Sequence, residues 1–170
     1  MIAAVTITMS PLAKVLLIVH VTMAVIMVGA GYVYPLIMAN MKDGGPSRLA
    51  LARVMKMVSR GFTMPFVLIQ PLTGAGLILT THNLWNPFHS QNRWLFASIL
   101  IFIVIFLLDT FFAGPAIVRM NKLAEAGDYD GEAFKKDLTA LSKVGPIFGI
   151  LFVIITVLMI WKPGAPNLHY

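Results

Sequence analysis

Leu12–Ala39 reads LAKVLLIVHVTMAVIMVGAGYVYPLIMA, with one charge, Lys14, near its start. A helix needs about 20 apolar residues to cross a bilayer's hydrocarbon core, so this stretch is long enough to span. Three more runs resemble it, at about Phe62–Thr80, Trp94–Val118 and Val144–Trp161. None shows the alternation of barrel strands. The expectation is an all-α membrane protein: one domain over residues 1–170, four transmembrane helices in an up-down bundle.

Composition agrees. The chain is 58% hydrophobic and 12% charged, with mean hydropathy +0.83, whereas a soluble domain is about a quarter charged. It has no cysteine, which excludes disulfides and thiolate-held metals or iron–sulfur clusters. The net charge of +6 lies in two loops and points to lipid headgroups; nucleic acid is not an expected partner. Met1–Ser10 has no Lys or Arg, so the basic start of a secretory signal is missing and the first run reads as a retained span.

The basic residues set an orientation. Lys42, Arg48, Arg53, Lys56 and Arg60 follow span 1, and Arg119, Lys122, Lys135, Lys136 and Lys143 follow span 3. By the positive-inside rule these loops face the cytoplasm and both termini lie outside. Trp85, Trp94 and Trp161 then fall on the outer side as an interfacial belt. In loop 1, Asp43-Gly-Gly-Pro46 stops span 1. A helix from Pro46 or Ser47 follows as a cytoplasmic extension of span 2, with Leu51, Val54, Met55 and Val58 as its apolar stripe and Arg48, Arg53, Lys56 and Arg60 against headgroups or offered to a docking partner. In loop 3, Gly127 to Gly131 turn, and Phe134, Leu138 and Leu141 mark a short interfacial helix. Asp128, Asp130 and Glu132 lack the spacing of a calcium loop. Loop 2, His82–Gln91, carries His82, Trp85 and His89 and is expected on the membrane surface.

His20 is the candidate centre, because an ionisable ring inside a span is a functional-site hypothesis by default. It sits ~12 Å below the outer end at 1.5 Å per residue. Met23 and Met27 follow at i+3 and i+7. Imidazole with thioether sulfur suits Cu(I) or haem iron; methionines also simply fill helix contacts. Spans 2 to 4 hold no histidine, so His82 or His89 is the candidate second haem ligand. A methionine, a five-coordinate iron or another subunit's histidine are the other routes. Asp109, ~22 Å in from the outer face, is expected to pair with a basic residue such as Arg60, or to stay neutral, with a proton-relay role as the other reading. Gln70 is expected to hydrogen-bond across the bundle or to a ligand. Gly29, Gly31, Gly74, Gly76, Gly145 and Gly149 let helices approach, or floor a flat groove for a porphyrin or a neighbouring subunit. A weak echo relates spans 1 and 3, and spans 2 and 4, through their Gly, Pro and Asn-Lys placements. No phosphate-binding Gly-Lys-Ser/Thr loop or HExxH occurs, and whether the chain is an enzyme stays open.

His20, Gly29-Ala30-Gly31, Tyr34 and Pro35 together resemble the histidine helix of the copper-resistance-D family and of HemJ-type protoporphyrinogen oxidases, both within bacterial four-helix membrane proteins. Met27 stands near the Trp of the HemJ-like pattern, and Leu36 replaces the Arg after Pro35. The resemblance implies a bacterial inner-membrane, multi-pass protein holding haem b on His20, or handling copper at the outer face. Three functions follow as expectations: a haem-b protein in electron transfer or a redox accessory role; a cofactor-free accessory or assembly subunit, among other membrane subunits or as a homo-oligomer; or copper handling through His20, Met23 and Met27.

Overall fold

The computed structural model describes residues 10–42, 44–81 and 92–163. The first crossing is α1 (Pro11–Asn40). Ser10 caps it, accepting from the Ala13 N–H at 3.2 Å, with Pro11 in the first turn where its missing N–H costs nothing. The second crossing is a rod of α2 (Ser47–Val58), a π turn, π1 (Ser59–Thr63), and α3 (Met64–Thr80). The third is α4 (Arg93–Leu108), π2 (Asp109–Ala113) and α5 (Gly114–Glu125), and the fourth is α6 (Glu132–Trp161). All four rods are long and apolar enough to cross a membrane.

Both π turns have the same cause. Pro65 and Pro115 lack an N–H and crowd the carbonyl four residues back. The helix absorbs this by widening one turn, so the Met64 N–H reaches the Ser59 carbonyl and the Gly114 N–H reaches that of Asp109. Each π turn begins six residues before its proline. The structural likeness therefore relates the second and third crossings. The echo between spans 1 and 3 is not matched, because α1 continues through Pro35 as an α-helix.

Successive rods are antiparallel. Met38 lies against Gly145 and Phe152 against Gly31, so α1 and α6 run opposite ways. α1 packs on α3 and α6, α4 on α6, and α5 on α2 and α6. The main core lies toward the end that carries the basic loops. Met41, Met55, Met120 and Phe134 are fully buried there, with Ile117 and Leu138 around them.

This core corrects two expectations. The loop 3 segment is no separate interfacial helix: Phe134, Leu138 and Leu141 begin α6 and are buried. The α2 segment extends span 2 as one rod, Ser47–Thr80, as expected, but one face packs on α5 rather than on headgroups. An apolar stripe on a short helix looks the same whether it faces lipid or a neighbouring helix, and here the neighbour takes it.

Arg48 departs most from its expected place on the exposed basic face, being only 5% exposed. Its Nε donates to the Met41 carbonyl at 2.6 Å, one terminal nitrogen donates to the Tyr129 carbonyl at 3.0 Å and to Asp130 Oδ1 at 2.6 Å, and the other donates to the Lys42 carbonyl at 3.4 Å. The guanidinium stands 5.5 Å from the Phe134 ring centroid. One side chain thus ties the turn after α1 to the turn before α6. Gly44 and Gly45, at φ of 79° and 81°, give the first turn a left-handed path that other residues resist. Trp94 is likewise no belt residue: it is buried against Leu158 and Met159, whereas Trp161 is exposed. Trp85 lies outside the described residues.

Candidate functional sites within the membrane

Two polar constellations sit among the apolar rods, and each is built by the local sequence. The first joins α1 to α3. Gln70 and Thr73, one turn apart, share the α3 face turned toward His20. Thr73 Oγ1 lies 2.9 Å from His20 Nδ1, and Gln70 Nε2 lies 3.1 Å from His20 Nε2. The Thr73 hydroxyl also lies within bonding distance of its own helix's carbonyls, at 3.2 Å from Ile69 and 3.0 Å from Gln70. A hydroxyl has one proton. If it goes to a carbonyl, His20 Nδ1–H donates to Thr73 and the neutral Nε2 accepts from Gln70. Gly74 makes the approach possible, since a Cβ there would stand 3.3 Å from the imidazole Cε1. Gln70 Oε1 is buried with no partner.

This geometry bears on haem and copper. An axial ligand needs an open lone pair on one ring nitrogen. In this arrangement both nitrogens of His20 face α3 side chains within bonding distance, so the residues as placed do not fit a haem iron. Met27 is buried on a different contact, lining the chamber described next, and Met23 is half-buried; neither is drawn to His20. His82 and His89 lie outside the described residues. Among the described residues no group of three His, Cys, Asp or Glu side chains gathers to hold a metal ion. Of the glycines, Gly31 meets Phe152, Gly76 meets Leu16 and Gly145 meets Met38, while Gly29 and Gly149 face open space.

The second constellation lies where α1, the two π turns and α6 converge. Tyr34, Thr63 and Asp109 border a partly open cavity of about 50 Å³, lined otherwise mainly by carbon from Met27, Ile105 and Phe148. The Tyr34 hydroxyl lies 3.0 Å from Thr63 Oγ1, and the Thr63 hydroxyl donates to the Val58 carbonyl at 3.4 Å. Asp109 Oδ2 is buried without a hydrogen-bond partner. The expected pair with Arg60 does not form: Arg60 is exposed, and no ion pair to Asp109 is present among the described residues. Asp109 opens a π turn that directs its side chain into the bundle, whereas Arg60, second in the other π turn, points out.

The sequence singled out His20, Gln70 and Asp109, and the structure places the first two together and the third apart. Thr73 and Tyr34 went unassigned. Gln70-x-x-Thr73-Gly74 was the available signal for the first, two hydrogen-bonding side chains and a gap on one helix face. Thr63 and Asp109 lie in turns ahead of Pro65 and Pro115, but the prolines alone do not show that both turns border one chamber.

A four-rod helical bundle with ionisable groups inside apolar spans is an integral membrane protein. The chain belongs to the family of predicted integral membrane proteins designated DUF2269, whose model matches residues 14–163. No curated protein and no solved structure matches the chain. The likeness to copper-resistance-D and HemJ-type proteins has no counterpart in these comparisons.

Proposed function

We propose that the protein is an accessory subunit of a larger membrane complex, and that it seats a partner's transmembrane helix in the groove between α1 and α6. Gly31, Tyr32 and Pro35 form one side of this groove, and Gly145, Pro146 and Gly149 the other. Gly145 and Gly149 have the small-xxx-small spacing that lets helices approach closely, and a Cβ at Gly149 would touch nothing. The observation that carries the reading is polar: Pro35 leaves the carbonyl of Gly31, on the groove wall, without its helical donor, and Tyr32 is half exposed on the rim. Lipid chains offer no hydrogen bond to such groups, and a helix bearing Ser, Thr or Asn does.

The test is a photo-crosslinking residue at position 32, on the rim of the groove, in native membranes, with position 72 on the exposed face of α3 as control. Linkage from 32, and not from 72, to a transmembrane segment of a second protein is the expected result. Linkage to lipid alone refutes the docking, and linkage to another copy of this chain replaces the accessory role with a homo-oligomer. A haem-b electron carrier is the second reading, supported by His20 being an imidazole held deep inside a span beside the small Gly74. It requires Gln70 or Thr73 to release a ring nitrogen. A Soret band in the purified protein, lost in His20→Ala, would install it; copper bound by wild type and absent from His20→Ala would instead install copper handling.

A further inference from the structure

None of those readings uses the chamber at Asp109. We propose that Asp109 is a proton-binding site, exchanging one proton with water held in the chamber. The cavity, about 50 Å³ and partly open to the outside of the bundle, has room for a few waters and admits a flexible apolar reagent from its open side. Its polar groups are few: the Asp109 carboxyl, the Tyr34 phenol and the Thr63 hydroxyl. A sodium-sized ion needs about six oxygens around it by analogy with the hard cations, and these walls are mostly carbon. A proton needs one carboxylate oxygen and a water to carry it.

The charges around Asp109 point the same way. From α1 the titratable group that faces it is Tyr34; from π1 the Thr63 hydroxyl borders the chamber, while the Ser59 hydroxyl lies beside Tyr34; α6 presents Val144, Gly145, Phe148 and Phe152. The charged residues nearest along the rods, Arg60, Arg119 and Lys143, are exposed, and Arg119 holds Asp137 in a two-point pair at 3.0 and 2.8 Å. A carboxylate without a counter-charge in such a medium is costly. Uptake is balanced as carboxylate plus hydronium giving carboxylic acid plus water. The acid O–H then donates to the chamber water, and release reverses the step.

The paired π turns supply the second, independent observation. π turns interrupt the regular ladder and are frequent at functional positions, whatever residue induces them. Here two of them, on rods running in opposite directions, face each other across one chamber, and they contribute Thr63 and Asp109 to it.

Dicyclohexylcarbodiimide tests this in the full-length protein in lipid nanodiscs. It reacts with the protonated carboxyl in apolar surroundings: the acid proton passes to a carbodiimide nitrogen, the carboxyl oxygen bonds to the central carbon, and rearrangement leaves a stable N-acylurea. Peptide mass spectrometry should place the adduct on Asp109. The rate should fall about tenfold per pH unit above its midpoint, as one titrating proton requires. Asp109→Glu should keep a pH-dependent adduct and Asp109→Asn should lose it. Wild-type site mapping decides the matter even if the Asn variant fails to fold. An adduct absent from Asp109, or formed there at one rate across the pH range, overturns the proposal. Protection by sodium relative to potassium at fixed pH also overturns it, in favour of a metal cation.

Discussion

Arg48→Ala should loosen the whole basic end of the bundle. The guanidinium reaches the Met41, Lys42 and Tyr129 carbonyls and the Asp130 carboxylate. Asp130 is 55% exposed, so the ion pair itself is screened and contributes less than about 1 kcal/mol. The carbonyl bonds matter more. A hydrogen bond from a charged donor is worth about 1.5–3 kcal/mol, and the Met41 end of the network is buried. Removing the donor strands these carbonyls, the Met41 one in a buried place, and costs about 3 kcal/mol. Arg48→Lys should recover only part of this, since a single ammonium cannot serve two turns at once. Asp130→Asn should cost under about 1 kcal/mol. Intrinsic tryptophan fluorescence during thermal unfolding in detergent measures all three. At about 2–4 °C per kcal/mol for a chain of this size, Arg48→Ala should melt roughly 10 °C early. Equal losses for Arg48→Ala and Asp130→Asn would show that the surface ion pair, and not the carbonyl ties, holds the turns together, and the reasoning fails.

Gln70→Leu should change stability by less than about 1 kcal/mol, because it gives up one intramembrane hydrogen bond, averaging about 0.6 kcal/mol, and also removes the buried unpartnered Oε1; a large loss in the same melt would mean that the His20 contact is far stronger. Gly74→Leu should cost about 1–3 kcal/mol by overpacking against His20, whereas Gly149→Leu should leave the melting of the isolated protein unchanged while abolishing the crosslink from the groove. Asn121→Leu should stabilise by about 1–3 kcal/mol, since Asn121 is fully buried with neither side-chain polar atom bonded; a lower melting temperature would reveal a partner for that amide.

The four crossings were legible because apolar runs of that length have little other use. Their limits were not. The fourth span was expected to start where the charges end, at Val144, with a separate short helix before it, yet one rod runs from Glu132, since a helix outlasts the bilayer wherever other helices cover it. The basic pattern of loop 1 was visible, but five cations in a row of turns look alike, and only tertiary contact turned Arg48 inward while leaving Arg53 and Arg60 outside. For the same reason Gln70 was visible as a cross-bundle donor and its target was not. Asp109 was visible as the one acid in a span. Its expected partner Arg60 was chosen by proximity along the rods, and helix rotation, which sequence spacing across a proline does not fix, sends the two residues to opposite sides.

The Arg48 tie joins residues 82 positions apart, which has a consequence for how the chain is made. Synthesis delivers the first two rods to the bilayer well before Tyr129 and Asp130 exist, so for that interval the guanidinium has only its local carbonyls. The late-arriving turn closes the contact, and the basic end can lock only after the third rod has been threaded. A nascent chain stopped short of residue 129 should therefore be far more open to membrane-associated proteases than one a few residues longer, with a step, rather than a slope, in its lifetime.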